Sequence, residues 1–304
     1  MDASPPSSDT AGHVLGYAAV AAAAALWAVA AVVARRLFDS GVSPVELTES
    51  RAFLAFAGFA LVPSAWRRVR SAGTAQIVGL AVAIAFVNVT YYVAISRVPV
   101  AVALVIQYTA PALIVGWTAL VARKAPSPEV VAALAVALVG VVLVIDLTPG
   151  AIGSIDALGL AMAIASAGFF STYIVLAEKT GAVYGSNGAM LRAFAIASLL
   201  WVVYQLPRGV PEDVLELSNV PGVLYVGLAG TLAPFLLFAW GVGRVRAERA
   251  AIAATLEPVI AAVVAWGWLG QHLSALQVAG AALVVGAVVT LQSRRQRPLV
   301  APDV

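Results

Sequence analysis

Apolar runs of about 20 residues recur along nearly the whole chain, and they leave it few ways to fold. A helix needs roughly 20 such residues to cross a hydrocarbon core of ~30 Å. Runs of that kind lie near residues 14–37, 44–63, 74–96, 99–122, 128–146, 155–177, 187–205, 220–243, 248–270 and 274–292. Most breaks between them have evident causes: the arginines of SAWRRVRSAG, the cations and prolines of RKAPSP, the turn residues of DLTPGAIGSID and the polar stretch LPRGVPEDVLELSN. Arg97-Val98-Pro99 and Gly270-Gln271-His272 are much shorter links. The runs flanking each are too long to sit in one bilayer as a single helix, so the chain must turn there. Ten spans result.

Barrel strands do not fit, because no alternation of apolar and polar residues over ~10 positions is present. Backbone groups in lipid must bond within their own segment, which leaves helix. Only 11% of the 304 residues are charged, against about 25% in a typical soluble domain. The expected class is therefore an all-α membrane protein of ten transmembrane helices, with lipid as its main neighbour. The net charge of +3 is spread thinly among apolar runs and forms no basic stripe, so nucleic acid is not an expected partner. Cysteine is absent and the two histidines, His13 and His272, are far apart, so no metal site is expected. The N-terminal MDASPPSSDTAG carries no Lys or Arg, and the run after it is long; the first span is expected to stay uncleaved.

The chain also repeats itself. RVPVAVALVIQYTAPALIVGW from Arg97 aligns without gaps on RVRAERAAIAATLEPVIAAVV from Arg244, an offset of 147 positions that brings Pro111 onto Pro258. RAF at Arg51 echoes RAF at Arg192, and VALVGVVLVI, ending at Ile145, echoes AALVVGAVVTL, ending at Leu291. The expected organisation is a polar tail over 1–12, a first five-helix repeat over 13–146, a linker over 147–154, a second repeat over 155–292 and a basic cytoplasmic tail over 293–304. Five spans per repeat make the two halves inverted.

Charge placement tests this. With the N-terminus in the cytoplasm, inside links hold 12 of the 18 Lys and Arg and outside links hold 4; Arg51 and Arg192 lie within spans. That bias puts both termini in the cytoplasm of a plasma-membrane protein. Arg35 and Arg36 disagree, since they follow the first span on its outer side while the N-terminus has no cation.

Ten spans, an inverted repeat and a proline in the fourth span of each half resemble the drug/metabolite transporter superfamily. The stretch LEPVIAAVVAWGWLGQ over 256–271 is similar to the ninth-span pattern of its EamA-like branch, which runs from Glu-Pro to a terminal Gly-Glu. Here the terminal pair is Gly270-Gln271, so that last acid is missing. Ala110-Pro111 stands in the first half, so the Glu-Pro pair occurs once. The resemblance implies the fold and a transport function, with amino acids and related metabolites as the usual cargo.

Candidate residues follow from what is costly in lipid. Glu257 sits about 14 Å along its helix from Glu248, near the midplane. A carboxylate there costs roughly 2.5–3.5 kcal/mol on insertion scales, so it should face protein or water. It is a ligand for a substrate amine, a group for proton coupling, or a helix-bonding Glu beside a kink. Pro111 and Pro258 each free the carbonyl four residues earlier, at Gln107 and Ala254, and Pro234 acts similarly in the eighth span. Such kinks suit a site between repeats; packing alone is the other reading. Asn88, Tyr91, Tyr92, Gln107 and Tyr108 need polar partners at this depth, whether from a cavity or from neighbouring helices. Tyr173 and Trp240 are candidate aromatic cavity walls. One reading of Arg51 and Arg192 is that they meet an anionic group; the expected one is that they snorkel to the nearer interface or pair with Glu49. Gly12 and Gly16 form a GxxxG that fits weak dimerisation or chance.

An enzyme is not expected. HExxH, GxSxG and paired aspartates are absent, and Glu257 is almost alone as an intramembrane acid. A channel would need a ring of like charges or a filter loop. The expected function is a carrier of small metabolites working by alternating access, without cofactor, as a monomer or weak dimer. Its cargo is an amino acid or a related zwitterion or weak cation, exported or passively equilibrated. Organic cations, multidrug substrates and nucleosides are the alternatives.

Overall fold

The computed structural model describes residues 8–67, 73–98, 100–123, 125–145, 156–209, 211–269 and 274–293. The linker 147–154, the link Gly270-Gln271-His272, Pro99, Arg68, Arg70, Lys124 and the basic tail with Arg294, Arg295 and Arg297 lie outside them, as does most of the N-terminal tail. The described residues are helical and contain no strand.

The elements follow the expected runs closely. The first half is α1 (Ser8–Asp39), α2 (Pro44–Ala60), α3 (Thr74–Arg97), α4 (Val100–Gln107), α5 (Ala110–Ala122) and α6 (Pro128–Ile145). The second is α7 (Ala157–Tyr184), α8 (Ser186–Gln205), α9 (Val220–Gly227), a π-helical turn over Leu228–Leu232, α10 (Ala233–Val245), α11 (Ala247–Ala254), α12 (Leu256–Leu269) and α13 (Ala275–Ser293). Among the described residues, seven helical stretches are long and apolar enough to cross a membrane: Gly12–Asp39, Thr74–Arg97, Val102–Val121, Pro128–Ile145, Ala157–Tyr184, Ser186–Gln205 and Val220–Val245. The chain is thus a multi-pass, all-α membrane protein. Large apolar side chains such as Leu120, Val139, Leu199, Val203 and Val278 stay exposed on the outside of the bundle, where water would penalise them and lipid does not.

Local chemistry starts the helices. Ser43 and Glu46 form a capping box at α2, with Pro44 at its first position. Ser274 and Gln277 bond reciprocally at the start of α13, and the Asp156 carboxylate accepts from the Gly159 N–H at α7. Helix ends then meet in two sets. In one, Ser40 bonds Asn219, Arg97 pairs with Asp156 and Arg35 donates to the Ile95 carbonyl. In the other, Asn187 donates to Ser64, Arg192 to the Ala65 carbonyl and Arg249 to the Leu291 carbonyl.

The most extensive helix pairs are α3 with α7, α6 with α13, and α1 with α10. Small residues permit the last two. A Cβ on Gly140 would stand 2.8 Å from the Gly280 carbonyl oxygen, and one on Gly241 equally close to that of Gly16. Gly16 therefore packs within the chain, against α10, where the sequence left dimerisation or chance open.

Candidate transport site

Proline chemistry shapes the middle of the bundle. Pro111 cannot donate to the Gln107 carbonyl, so α4 stops at Gln107 and α5 restarts at Ala110. Pro258 acts alike: α11 ends at Ala254, Thr255 bridges, and α12 begins at Leu256. The two breaks are equivalent under the 147-residue offset, Tyr108 corresponding to Thr255. They also meet, because Gln107 and Tyr108 at the first break and Glu257 at the second line the same cavity.

Pro234 makes a third irregularity. The carbonyl it leaves without a helical donor is that of Gly230, within the π turn. That carbonyl accepts from Arg51 Nη2 at 3.2 Å. Arg51 Nε donates to Thr231 Oγ1 at 2.6 Å and Nη1 to the Tyr92 hydroxyl at 2.6 Å. Arg51 is only 4% exposed, so it does not snorkel, and it bonds these three oxygens rather than Glu49. Residues two apart on a helix point away from each other, which keeps Glu49 out of its reach. Arg192, by contrast, reaches back to its own end of the bundle, onto the Ala65, Gly188 and Arg67 carbonyls and over the Tyr184 ring.

Arg51, Tyr92, Gly230, Tyr108 and Glu257 border one cavity. Its lining includes Trp27, Ala30 and Ala31 of α1, Arg51 of α2, Val87, Asn88, Tyr91 and Tyr92 of α3, and Gln107 and Tyr108 at the first break. Phe170, Gly230, Phe235 and Glu257 complete it. Its volume is about 60 Å³, room for a few waters, so a metabolite requires it to widen. The Tyr91 hydroxyl has no hydrogen-bond partner although it is buried. On one side an aromatic cluster closes the cavity: Trp27 meets Phe170, Phe235 and Phe238 at centroid distances of 6.1, 5.6 and 5.2 Å. On the other, a crevice of about 270 Å³ shares Ala31 and Glu257 with the cavity and runs past Leu104 to Arg35 and Arg36.

Of the residues singled out in the sequence, Asn88, Tyr91, Gln107, Tyr108 and Glu257 come together here. Tyr173 and Trp240 do not. Tyr173 is fully buried behind Phe170 and Phe235, one turn further along α7. Trp240 lies five residues beyond Phe235, on a different side of α10, stacked under Arg244 at 3.4 Å in a separate crevice with Ser64, Glu178 and Asn187. Arg51, Trp27, Phe170 and Phe235 join the lining without having been assigned to it. For Arg51 the available signal was Pro234, whose orphaned carbonyl needed a donor.

The model of the EamA-like transporter family matches the chain twice, over residues 14–146 and 157–292. An uncharacterised inner membrane transporter, YicL of Salmonella typhimurium, is 26% identical over 92% of this chain and 97% of its own length. The threonine/homoserine exporter RhtA of Salmonella typhimurium is 25% identical over 71% of each chain. One solved crystal structure superposes with a TM-score of 0.66 at 20% identity, covering 92% of this chain and 97% of its own, and shares the fold.

Proposed function

The chain belongs to the EamA-like transporter family, and from that premise we propose that it carries an amino acid or a related zwitterionic or weakly cationic solute across the plasma membrane. The chain is a transporter and not an enzyme. Alternating access is the mechanism that fits. On this reading α2, the α11–α12 pair and α13 cross beside the seven long spans, making ten crossings in two inverted halves. In that arrangement α3 on α7 and α1 on α10 are equivalent pairs, and α6 on α13 straddles the axis.

Both termini are assigned to the cytoplasm. Among the described residues Arg67, Arg123, Lys179, Arg244, Arg246 and Arg249 fall at that side and Arg35, Arg36, Arg97 and Arg208 at the other.

The observation that carries the reading is the meeting of both proline breaks at one cavity, which Tyr108 and Glu257 both line. Broken helices at mid-depth are how carriers of inverted-repeat design build a site. Glu257 offers a carboxylate for a substrate ammonium, and Asn88 and Gln107 offer amides. The amino-acid cargo of RhtA agrees with this chemistry. The aromatic wall also suits an organic cation, which is the second reading. No cofactor is required, and Glu257 is the group through which a proton would couple.

Purified protein in liposomes decides the matter. Loaded with unlabelled L-threonine, such vesicles should accumulate labelled L-threonine by saturable counterflow. Non-saturable leak, or no flux for any amino acid tried, overturns the proposal; flux of a quaternary amine alone establishes the second reading.

A further inference from the structure

The cavity holds a cation to which no anion is bonded among the described residues, although the Glu257 carboxylate lies on the same wall. Arg51 is 4% exposed, and its three bonded oxygens, on Thr231, Tyr92 and Gly230, are all neutral. Neither ion pair found among the described residues involves it. A guanidinium carries five N–H donors, so two remain. Burying an unpaired charge costs several kcal/mol, which three neutral hydrogen bonds offset only in part. A second group in the same wall is also incomplete: the buried Tyr91 hydroxyl has no hydrogen-bond partner among the described residues. The guanidinium itself is held rigidly, since α2, α3 and the π turn each contribute to its position.

Resting on the transport reading above, we propose that Arg51 recognises the carboxylate of the substrate, with the Tyr91 hydroxyl as an additional donor and Glu257 left for the ammonium. The planar fork of a guanidinium matches a carboxylate in a way that a single donor does not. The substrate class then narrows from zwitterions and weak cations to α-amino carboxylates. Amines lacking the acid group are rejected, because they would leave Arg51 without a counter-charge. The π turn has a part in this: it presents Thr231 and the orphaned Gly230 carbonyl at the angle that fixes the fork.

The test compares L-threonine with L-threoninamide, which keeps the amine and loses the acid. Competition against labelled L-threonine in counterflow should show the acid form bound about 10- to 100-fold more tightly by the natural protein. Arg51→Gln should abolish that preference while leaving the affinity for the amide unchanged, and Arg51→Lys should restore part of it. A purely structural Arg51 would lower both affinities together. Equal affinities in the natural protein, or an undiminished preference in Arg51→Gln, overturn the assignment even if the substituted proteins fold poorly. Transport of both compounds at equal affinity sinks only the role of Arg51; transport of neither removes the amino-acid reading beneath it.

Discussion

Glu257 and Arg51 pose the same problem at the residue scale, a charge kept in the middle of an apolar bundle. A fold selected only for stability would replace Glu257 with a neutral isostere, since desolvating a carboxylate is costly unless a well-placed partner repays it. Glu257→Gln is therefore expected to leave the thermal midpoint in detergent unchanged or raised. Counterflow of L-threonine should fall about tenfold or more, the worth of one charge-assisted hydrogen bond. Melting curves and uptake on the same preparation check this, and a drop in both by similar measure would make Glu257 a structural group. The contrast between the two charges also explains how far the site was legible. Glu257, Asn88, Tyr91, Gln107 and Tyr108 could be read from sequence because a polar group at that depth must find company, whatever the fold. Arg51 was misassigned because its partners sit 179 and 180 positions away on α2's neighbour in space, the π turn. Tyr173 and Trp240 were apolar enough to point anywhere, and only the rotation of α7 and α10 settles their direction.

At the scale of elements, the breaks between α4 and α5 and between α11 and α12 were predictable from Pro111 and Pro258 alone, since a missing N–H acts locally. That the two would converge on one cavity was not, because it depends on how the halves pack. If the breaks are needed for movement and not for holding the fold, Pro111→Ala and Pro258→Ala should each restore a helical bond to Gln107 or Ala254. Each should keep the protein folded and leave the substrate affinity within about threefold of its natural value, under 1 kcal/mol. The turnover rate should fall by much more. Initial rates over a range of L-threonine concentrations separate the two quantities. A rise in half-saturation with an unchanged maximal rate would assign the prolines to the shape of the site instead. The π turn differs in kind: nothing in LAGTL announces it except the proline two residues on, and its value lies in what it offers to Arg51.

For the whole molecule, the cavity is closed asymmetrically. Trp27, Phe170, Tyr173, Phe235 and Phe238 fill the space toward the Trp66 end of the bundle, and Phe238 has no exposed surface. Toward Arg35 and Arg36 a crevice leads directly to Glu257 past Leu104. If the termini are cytoplasmic, as proposed, the sealed side is the inner one and the crevice opens outward. The chain contains no cysteine, so single cysteines report accessibility without background. In intact cells, Glu216→Cys should react with a membrane-impermeant maleimide and Ala182→Cys should not, because the two exposed positions belong to opposite ends. Leu104→Cys should react from the same side as Glu216→Cys, and more slowly when L-threonine is present, since substrate at Glu257 occupies the mouth of the crevice. Phe238→Cys should resist labelling from outside until the cycle turns the inner side open. Reaction of Glu216→Cys and Ala182→Cys from one side would mean that α8 does not cross the membrane, which would break the five-helix count of the second half on which the inverted arrangement rests.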